Sequence, residues 1–403
     1  MPLPLYLLAL AVFAMGTSEF MLAGLLPDLA ADLGVSLGAA GLLGPAFAAA
    51  MALGAPLMAA LARTWPARTS LLGLLLAFAA AHAAGAVTTS LPLLCATRVA
   101  AALACAGFLA VALTTAATLV APDRKGRALA VLLSGTTLAT IVGVPAGAAL
   151  GTLLGWRATF WAVAALCLPA AAGLLRGIPA APAPHDSAPH DSAPHDSAPH
   201  DTAEPALRTE LAQLRRPRLL LVMALGALVN AATFAGFTFL APVVTDTAEL
   251  GRLWIPVALV LFGAGSLLGV TTAGRLADHR PRLLLAAGGP LLLAGWPALA
   301  VLAEEPAALL ALVFVQGALS FALGATLITR VLYEAAAAPT MAGSYATAAL
   351  NVGAATGPLV AATTLGSSAG PLGPLWASAL LVLLALLAAV PLREVLAPRH
   401  GGA

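Results

Sequence analysis

The chain has 403 residues, of which 61% are hydrophobic and only 9% are charged, and its net charge is +2. A soluble domain carries about 25% charged residues, so this composition excludes a soluble globular protein and favours one embedded in lipid. The near-neutral charge and the lack of a basic block argue against a nucleic-acid partner. The three cysteines lie in apolar segments without metal-ligand spacing, so we expect neither a metal nor another cofactor.

Apolar segments long enough to cross a bilayer recur along the chain. A spanning helix needs about 20 apolar residues, and this length predicts twelve spans. In chain order they are Leu3–Leu26, Ala40–Ala62, Ser70–Thr88, Leu91–Val120, Ala128–Leu150, Ala158–Leu175, Leu219–Ala241, Trp254–Thr272, Leu283–Leu302, Ala307–Ile328, Ala342–Leu365 and Pro374–Val390. No Lys or Arg precedes the first span, which is too long for a signal-peptide core, so we expect it to be a retained helix.

The Lys and Arg residues sort onto one side of these spans. Of the nineteen in the chain, sixteen fall in alternate loops or in the termini. Only Arg157 and Arg252 fall on the other side, and Arg98 lies inside the fourth span. The positive-inside bias therefore predicts that both termini and the central loop are cytoplasmic. An odd number of spans would scramble this sorting, which supports the count of twelve.

Two charged residues lie at membrane depth. Glu19 is the one charge between Leu3 and Leu26, and Arg98 is the charge within the fourth span. Each lies seven residues from the predicted outer end of its helix, which places both about 10 Å inward at 1.5 Å per residue. Charges at this depth are costly and rarely lack a partner or a function. We expect Glu19 and Arg98 to sense one another.

The chain divides into two similar halves. Residues 183–202 repeat the motif APHDS four times, the last copy ending in Thr, and this proline-rich tract predicts a solvated linker. Pro27 and Pro242 end the first and seventh spans, 215 residues apart, and the turns after Leu61 and Leu276 repeat at the same offset. We therefore predict bundles at 1–175 and 218–403 joined by a linker at 176–217. Six spans per bundle give both copies the same orientation.

Several motifs resemble those of the major facilitator superfamily. The loop GRLADHRPR, from Gly274 to Arg282, resembles the signature between the second and third helices of each half. GTTLATIVGVPAG, from Gly135 to Gly147, resembles the antiporter motif of its drug/proton exporters, and GTSEF around Glu19 resembles the opening of the twelve-helix branch. Nearly the whole chain, the APHDS tract apart, resembles the chloramphenicol resistance exporters of actinomycetes. Arg63 departs from the family pattern, which usually has Asp there.

The resemblance implies an all-α membrane protein of two pseudo-symmetric six-helix bundles whose first and fourth helices line a central cavity. It implies proton coupling by Glu19 and Arg98 beside that cavity. A binding role without coupling and a static buried pair remain open for them. Further candidates for substrate binding are an amide with aromatic neighbours on the seventh span and polar residues on the tenth and eleventh: Asn230, Phe234, Phe237, Gln316, Ser320 and Asn351.

Another set of residues is predicted to act in gating or packing. Glycines four residues apart let helices approach closely and prolines kink them, and the resemblance adds a cytoplasmic charge latch around Asp278. The set comprises Arg63, Gly143, Pro145, Gly147, Gly151, Gly274, Asp278, Arg280, Arg282, Gly353, Gly357 and Pro358. For the glycines, contacts that seal the two halves and simple tight packing are both open.

The function expected from this resemblance is proton-coupled efflux of chloramphenicol or a related phenicol across the bacterial plasma membrane. A nitroaryl ring, hydroxyls and an amide suit a mostly apolar pocket with a few polar groups. The alternative is an exporter of sugars, nucleosides or other amphipathic metabolites. We expect a monomer in the lipid bilayer that is not an enzyme, because no nucleophile–base set or phosphate loop appears in the spans.

Overall fold

The computed structural model describes residues 1–61, 65–121, 124–177, 207–276, 281–338 and 341–389. Within these ranges the chain is helical and contains no β-strand. The twelve long helices, numbered α1 to α12, are Leu3–Gly24, Leu37–Leu61, Ala67–Val87, Leu91–Thr118, Lys125–Leu154, Trp156–Gly177, Pro217–Thr238, Trp254–Leu276, Pro281–Val301, Pro306–Glu334, Ala342–Thr364 and Gly373–Ala389. The predicted all-α fold is confirmed, and each predicted span overlaps one of these helices.

Most of these helices have the properties of a membrane span. Ten have sufficient length and hydropathy, and the apolar part of α9, Leu285–Val301, is shorter. The remaining helix, α11, lies where the sequence predicts it and is rich in Gly, Ala and Thr. Two helices depart locally from α geometry: α1 ends in a 3-10 turn at Met21–Gly24, and α5 contains a π-helical turn at Ala139–Gly143.

Each half of the molecule builds its own apolar core. One core is formed by α1 to α6 and runs from Leu5 to Leu174 in sequence. The other is formed by α7 to α12 but also takes in six residues of the first half. These six are Ala23, Leu26, Ala30, Ala40, Val144 and Ala148. All of them belong to the predicted outer ends of their helices, so the halves are packed together at that end.

Glycines give the two halves the same internal packing. A Cβ on Gly54 of α2 would meet Leu103 of α4, and a Cβ on Gly269 of α8 would meet the backbone of Ala318 in α10. Gly54 and Gly269 are separated by the 215-residue offset predicted from the prolines. Close backbone approach through glycine is the usual way in which membrane helices pack without a hydrophobic driving force. These paired contacts are those expected of pseudo-symmetric bundles.

Two further contacts join the halves at the predicted outer end. Asp28, in the short helix Leu26–Leu33 that follows α1, forms an ion pair with Arg252 before α8. Gly24 lies so close to α8 that a Cβ would meet the Leu259 side chain. These contacts close the molecule on the side that the charge pattern predicts to face outward.

The segment before α7 packs on the second half. Residues 178–206, which include the APHDS tract, lie outside the described ranges, and a short helix follows at Leu207–Ala212. Within it Glu210 is fully buried, and its carboxylate accepts a hydrogen bond from the Met341 N–H at the start of α11, at 2.9 Å. The Tyr345 hydroxyl donates to the Glu210 carbonyl at 2.9 Å. These two hydrogen bonds attach the end of the predicted linker to the start of α11.

Candidate functional site

A cavity lies between the halves just inside the closed end. Its free volume is about 30 Å³. Its walls include Glu19 and Phe20 of α1, Phe47 of α2, Phe234 and Phe237 of α7, and Pro358 of α11. Among the described residues that line it, Glu19 alone is ionisable. We name this cavity the Glu19 chamber.

A second chamber adjoins the first. Its free volume is about 10 Å³, and it shares Phe20, Phe234 and Phe237 with the Glu19 chamber. Phe262 of α8 and Phe321 of α10 complete a wall of five phenylalanine rings, and we name this cavity the phenylalanine chamber. Phe20 and Phe234 stack across the two halves with ring centroids 5.7 Å apart. A ligand that fills both chambers would therefore contact both halves.

The local helix geometry places Glu19 at the cavity wall. The α-helical part of α1 ends at Phe20, and the 3-10 turn from Met21 then carries the chain to the closed end. Within α1, Gly16 permits close packing on α5, because a Cβ there would meet Ala139 at 2.9 Å. Glu19 itself is half-buried and lines the chamber.

Arg98 is held by Ser18, the neighbour of Glu19. Its Nη1 donates to Ser18 Oγ at 2.7 Å and its Nη2 donates to the Ser18 carbonyl at 2.9 Å. The guanidinium also lies over the ring of Phe47, 4.4 Å from the centroid. Only 1% of Arg98 is exposed, and it is not among the lining residues of either chamber. The Phe47 ring, which does line the Glu19 chamber, therefore stands beside a buried cation.

The same serine connects Arg98 to His82 of α3. Ser18 Oγ lies 2.7 Å from His82 Nε2, and His82 Nδ1 lies 2.8 Å from the Phe78 carbonyl. A carbonyl only accepts, so Nδ1 carries the hydrogen, and in a neutral imidazole Nε2 then accepts from the Ser18 hydroxyl. The resulting chain runs from Arg98 through Ser18 and His82 to Phe78. It ties α4, α1 and α3 together at the depth of Glu19.

The structure shows whether Glu19 and Arg98 form a direct ion pair. The two residues lie on neighbouring helices, because the Arg98 guanidinium bonds to Ser18, the residue before Glu19. Over the described part of the chain, no ion pair within 4 Å joins them, and the guanidinium of Arg98 instead contacts Ser18 and Phe47. Glu19 therefore faces the chamber with no cationic partner within 4 Å among the described residues, and its carboxylate is open to a proton or a ligand.

The structure brings Phe234 and Phe237 to the cavity, as the sequence predicts, but not the polar candidates. Asn230 donates from Nδ2 to the Leu350 carbonyl at 2.6 Å, and Asn351 donates to the Thr347 carbonyl at 3.0 Å. Gln316 is fully buried against α9, where its Nε2 lies 3.4 Å from the Leu292 carbonyl. These amides lie within the second bundle.

Ser320 is likewise buried, with 3% exposure and no hydrogen-bond partner for its hydroxyl within the described residues. It lines neither chamber. Because neither Ser320 nor the three amides line the chambers, the chamber walls are mostly aromatic and aliphatic. The polar atoms that remain there are the Glu19 carboxylate and a few hydroxyls.

The predicted gating glycines pack helices of the same half. Gly143, the last residue of the π-helical turn, would place a Cβ on Thr17 of α1, and Gly151 would place one on Leu25. Gly147 faces Thr159 of α6, while Gly353 and Gly357 both face the backbone of α7 near Ala231. Of the two alternatives for these glycines, the observed contacts are those of tight packing within a bundle.

The prolines and the charged loop complete the predicted set. Pro145 is the second residue of the α-helical part of α5 that follows the π-helical turn, and Pro358 of α11 lines the Glu19 chamber. Gly274 lies in α8 with open space around it. Arg63, Asp278 and Arg280 lie outside the described residues. Arg282 belongs to α9 by its backbone, and its side chain is not described.

Four site residues were not predicted from the sequence. They are Ser18, His82, Phe20 and Phe47. A usable signal existed for His82, because an imidazole inside an apolar span needs a hydrogen-bond partner at membrane depth. Phe20 and Phe47 carried no such signal, since phenylalanine is common throughout apolar helices.

Comparison with known proteins identifies the family. The family model of the Major Facilitator Superfamily matches residues 8–349. A chloramphenicol resistance protein of Streptomyces lividans is 72% identical over 396 residues, which cover 98% of this chain and 97% of that protein. The inner membrane transport protein YdhP of Escherichia coli (strain K12) is 31% identical over 91% of this chain and 90% of its own length.

A solved structure shares the fold. The bacterial homolog of the human lysosomal transporter Spinster, in an inward-facing and occupied conformation, superimposes with a TM-score of 0.74 at 15% identity over 96% of each chain. The unoccupied inward-facing form of a bacterial Spinster homolog gives 0.73 at 16% identity, covering 98% of this chain and 95% of that one. Identities this low concern the fold alone. On the family match and the two sequence relatives, the chain belongs to the major facilitator superfamily and is a multi-pass protein of the bacterial plasma membrane.

Proposed function

We propose that this protein exports chloramphenicol or a closely related phenicol in exchange for protons, by alternating access and as a monomer with cytoplasmic termini. The observation that carries the proposal is the Glu19 chamber, which lies between the halves and has one ionisable side chain among its described walls. The 72% identity to a chloramphenicol resistance protein of Streptomyces lividans supports the choice of drug.

The chambers suit a neutral amphipathic drug. The Glu19 carboxylate accepts hydrogen bonds from hydroxyl and amide donors, while the phenylalanine rings offer faces and edges to an aryl ring. A drug that carries its polar groups on one arm and an aryl ring on the other matches both features.

Proton coupling rests on the exposure of Glu19 to two different environments. A carboxyl group holds its proton more readily where water is excluded and releases it where water enters. Alternating access would open the chamber to each side of the membrane in turn, so that proton and drug compete for the same carboxylate. One proton per neutral drug at about 150 mV supplies about 3.4 kcal/mol, enough for a roughly 300-fold drug gradient.

The test is chloramphenicol accumulation in cells that express the wild type, Glu19→Gln or Glu304→Gln, with and without a protonophore. Glu304 is exposed between α9 and α10 and serves as the matched control. We expect the wild type and Glu304→Gln to lower accumulation until the protonophore is added. Glu19→Gln should reach the membrane in equal amount and fail to lower it.

A second measurement separates loss of coupling from loss of binding. In proteoliposomes, Glu19→Gln should still equilibrate labelled chloramphenicol across the membrane while an imposed pH gradient no longer concentrates it. If Glu19→Gln concentrates the drug as the wild type does, the carboxylate is not the coupling group. If the wild type leaves accumulation unchanged, the phenicol assignment fails and the family's other amphipathic substrates become the candidates.

A further inference from the structure

We propose that Ser18 and His82 are positioning residues for proton exchange at Glu19. Together they hold the guanidinium of Arg98 against Ser18 and away from the Glu19 carboxylate. This inference rests on the proposed function and adds to it the residues that keep the coupling carboxylate able to take up and release a proton. Its basis is the hydrogen-bond chain that joins α4, α1 and α3.

The end of the α-helical part of α1 supplies one acceptor for Arg98. This part ends at Phe20, and a 3-10 turn follows from Met21. The last carbonyls of an α-helix have no partner four residues further on within the helix, and Ser18 contributes one of them. Its carbonyl accepts from Arg98 Nη2 at 2.9 Å. The change of helix geometry beside Glu19 therefore provides a backbone acceptor for the guanidinium.

The side chain of Ser18 supplies the second acceptor, because its hydrogen is directed to another helix. Serine and threonine hydroxyls inside helices often donate to a carbonyl one turn earlier, and the neighbouring Thr17 does so, to the Phe13 carbonyl at 2.8 Å. The Ser18 hydroxyl instead lies 2.7 Å from His82 Nε2. With its hydrogen directed to His82, a lone pair of its oxygen accepts from Arg98 Nη1 at 2.7 Å.

The neutral imidazole of His82 is an acceptor towards Ser18. Its Nδ1 lies 2.8 Å from the Phe78 carbonyl one turn earlier in α3, which requires a hydrogen on Nδ1 and leaves a lone pair on Nε2. The ring packs between Phe78 and Phe160, whose centroids lie 4.3 and 5.7 Å from its own. His82 therefore sets the direction of the Ser18 hydroxyl, and this hydroxyl sets the position of Arg98.

An aromatic ring completes the enclosure of Arg98. The guanidinium lies over the face of Phe47, 4.4 Å from the centroid, which is an attractive cation–π arrangement. Phe47 lines the Glu19 chamber, whereas Arg98 does not. The cation is thus bound to Ser18 and covered by a ring, while the carboxylate of the next residue is open to the chamber.

Holding Arg98 on Ser18 keeps the Glu19 carboxylate able to exchange a proton. A guanidinium paired directly with a carboxylate favours the ionised form of that carboxylate, and such a pair would withdraw Glu19 from the proton cycle. Among the described residues of α1 to α6, Glu19 is the only carboxylate within a spanning helix. An Arg98 side chain released from Ser18 would therefore pair with it.

Few other titratable groups surround this cluster. Cys95 and Cys105 lie on α4 with Arg98, and His82 lies on α3. Helix α2 contains no titratable residue. The other described charged residues of α3, α5, α6 and α7 lie at the ends of their helices: Arg68, Lys125, Arg127, Arg157, Arg176 and Arg218. A change in the pH dependence of Glu19 on substitution within the cluster is therefore a local effect.

The test measures the binding of labelled chloramphenicol to the purified protein in lipid nanodiscs as a function of pH. Because proton and drug compete for Glu19, binding to the wild type should rise with pH, and Glu19→Gln should remove this dependence. Ser18→Ala leaves Arg98 to pair with Glu19, so we expect the midpoint of the rise to fall by about one pH unit or more. His82→Leu should move the midpoint in the same direction by a smaller amount.

Two variants separate positioning from a merely structural role. His82→Gln retains an acceptor for the Ser18 hydroxyl, and its midpoint should return to that of the wild type. Thr115→Ala removes another buried hydroxyl of the first bundle, one that donates to the Val111 carbonyl of its own helix at 2.8 Å. This control should leave the midpoint unchanged, because no charged group depends on that hydroxyl.

A double variant tests whether the shift depends on Arg98. Arg98→Gln removes the cation, so adding His82→Leu to it should lower the midpoint no further. His82→Leu carries the test even where Ser18→Ala is too unstable to purify. The inference is overturned if His82→Leu shifts the midpoint equally without Arg98, or if it keeps the wild-type midpoint, while drug–proton competition at Glu19 stands. If wild-type binding is independent of pH, the proposed function fails together with this inference.

Discussion

The substitution Ser18→Ala tests which group stabilises the buried guanidinium of Arg98. In the structure the guanidinium donates to the Ser18 hydroxyl and carbonyl, and the same hydroxyl meets His82. If this chain is the support of Arg98, losing the hydroxyl should destabilise the first bundle more than neutralising Glu19 does. A direct Glu19–Arg98 pair would give the opposite order.

The magnitude follows from burial. Ser18 is fully buried, and Arg98 and His82 are each 1% exposed. Without the hydroxyl, Arg98 Nη1 and His82 Nε2 both lose their partner, and Arg98 Nε already has none within the described residues. Each buried polar group left unsatisfied costs about 1–3 kcal/mol, so we expect the loss of these two partners in Ser18→Ala to lower the free energy of unfolding by about 2–6 kcal/mol.

The protein carries its own reporter for this measurement. Cys105 and Cys167 are buried, so a thiol-reactive dye labels them only as the first bundle unfolds. A Cys95→Ala background removes the partly exposed third thiol. With about 2–4 °C per kcal/mol for a domain of this size, Ser18→Ala should lower the midpoint of thermal labelling by at least about 4 °C.

Ser378→Ala is the matched control. Ser378 is equally buried, but its hydroxyl donates only to the Pro374 carbonyl one turn earlier, at 2.9 Å. Its loss leaves no charged group unpaired, and the midpoint should stay within a few degrees of the wild type. The reasoning is refuted if Ser18→Ala behaves like Ser378→Ala, or if Glu19→Gln lowers the midpoint further than Ser18→Ala.

Two further predictions concern the contacts within and between the halves. Asp28→Asn removes the ion pair with Arg252; because exposed pairs contribute up to about 1 kcal/mol, we expect opening of the outer end to increase by at most about fivefold. The labelling rate of a cysteine substituted for the buried Leu259 measures this opening, and a rise well beyond fivefold would show that the pair is more than a weak clamp. Gly357→Ala should lower the midpoint of thermal unfolding, because its Cβ meets the α7 backbone, which cannot move aside. Gly324→Ala, with nothing within 4 Å of its Cβ, should raise the midpoint through helix propensity, and equal midpoints would contradict the packing role.

The sequence predicts how deep a residue lies in the membrane better than it predicts the direction in which its side chain points. The lengths of the apolar runs and the sorting of Lys and Arg place all twelve helices, and the position of Glu19 within its span places it at the cavity. Gln316, Ser320 and Asn351 were equally plausible cavity residues, yet they lie inside the second bundle. A helix that is apolar all round gives no amphipathic signal, because lipid and protein core are both apolar. The rotation of each helix is therefore set by packing.

The hydrogen bonds between helices were the other feature that could not be predicted from the sequence. The common depth of Glu19 and Arg98 suggested that they sense one another, but the bonds of Arg98 go to Ser18. A serine beside a carboxylate has no distinctive pattern, and whether an arginine reaches the side chain or its neighbour depends on helix rotation by a fraction of a turn. For His82, the residue type alone indicates a buried hydrogen-bond partner, because an imidazole inside an apolar span needs one.

The hydrogen bonds between Glu210 and the start of α11 make the stability of the second bundle insensitive to the length of the central loop. Because the carboxylate fixes the chain at Met341 before α7 begins, residues 178–206 have only to connect two anchored points, Gly177 and Leu207. The entropy of closing such a connection changes by only about 0.6 kcal/mol for each doubling of its length. Adding or removing one five-residue APHDS unit should therefore change the stability of the second bundle by less than about 0.6 kcal/mol.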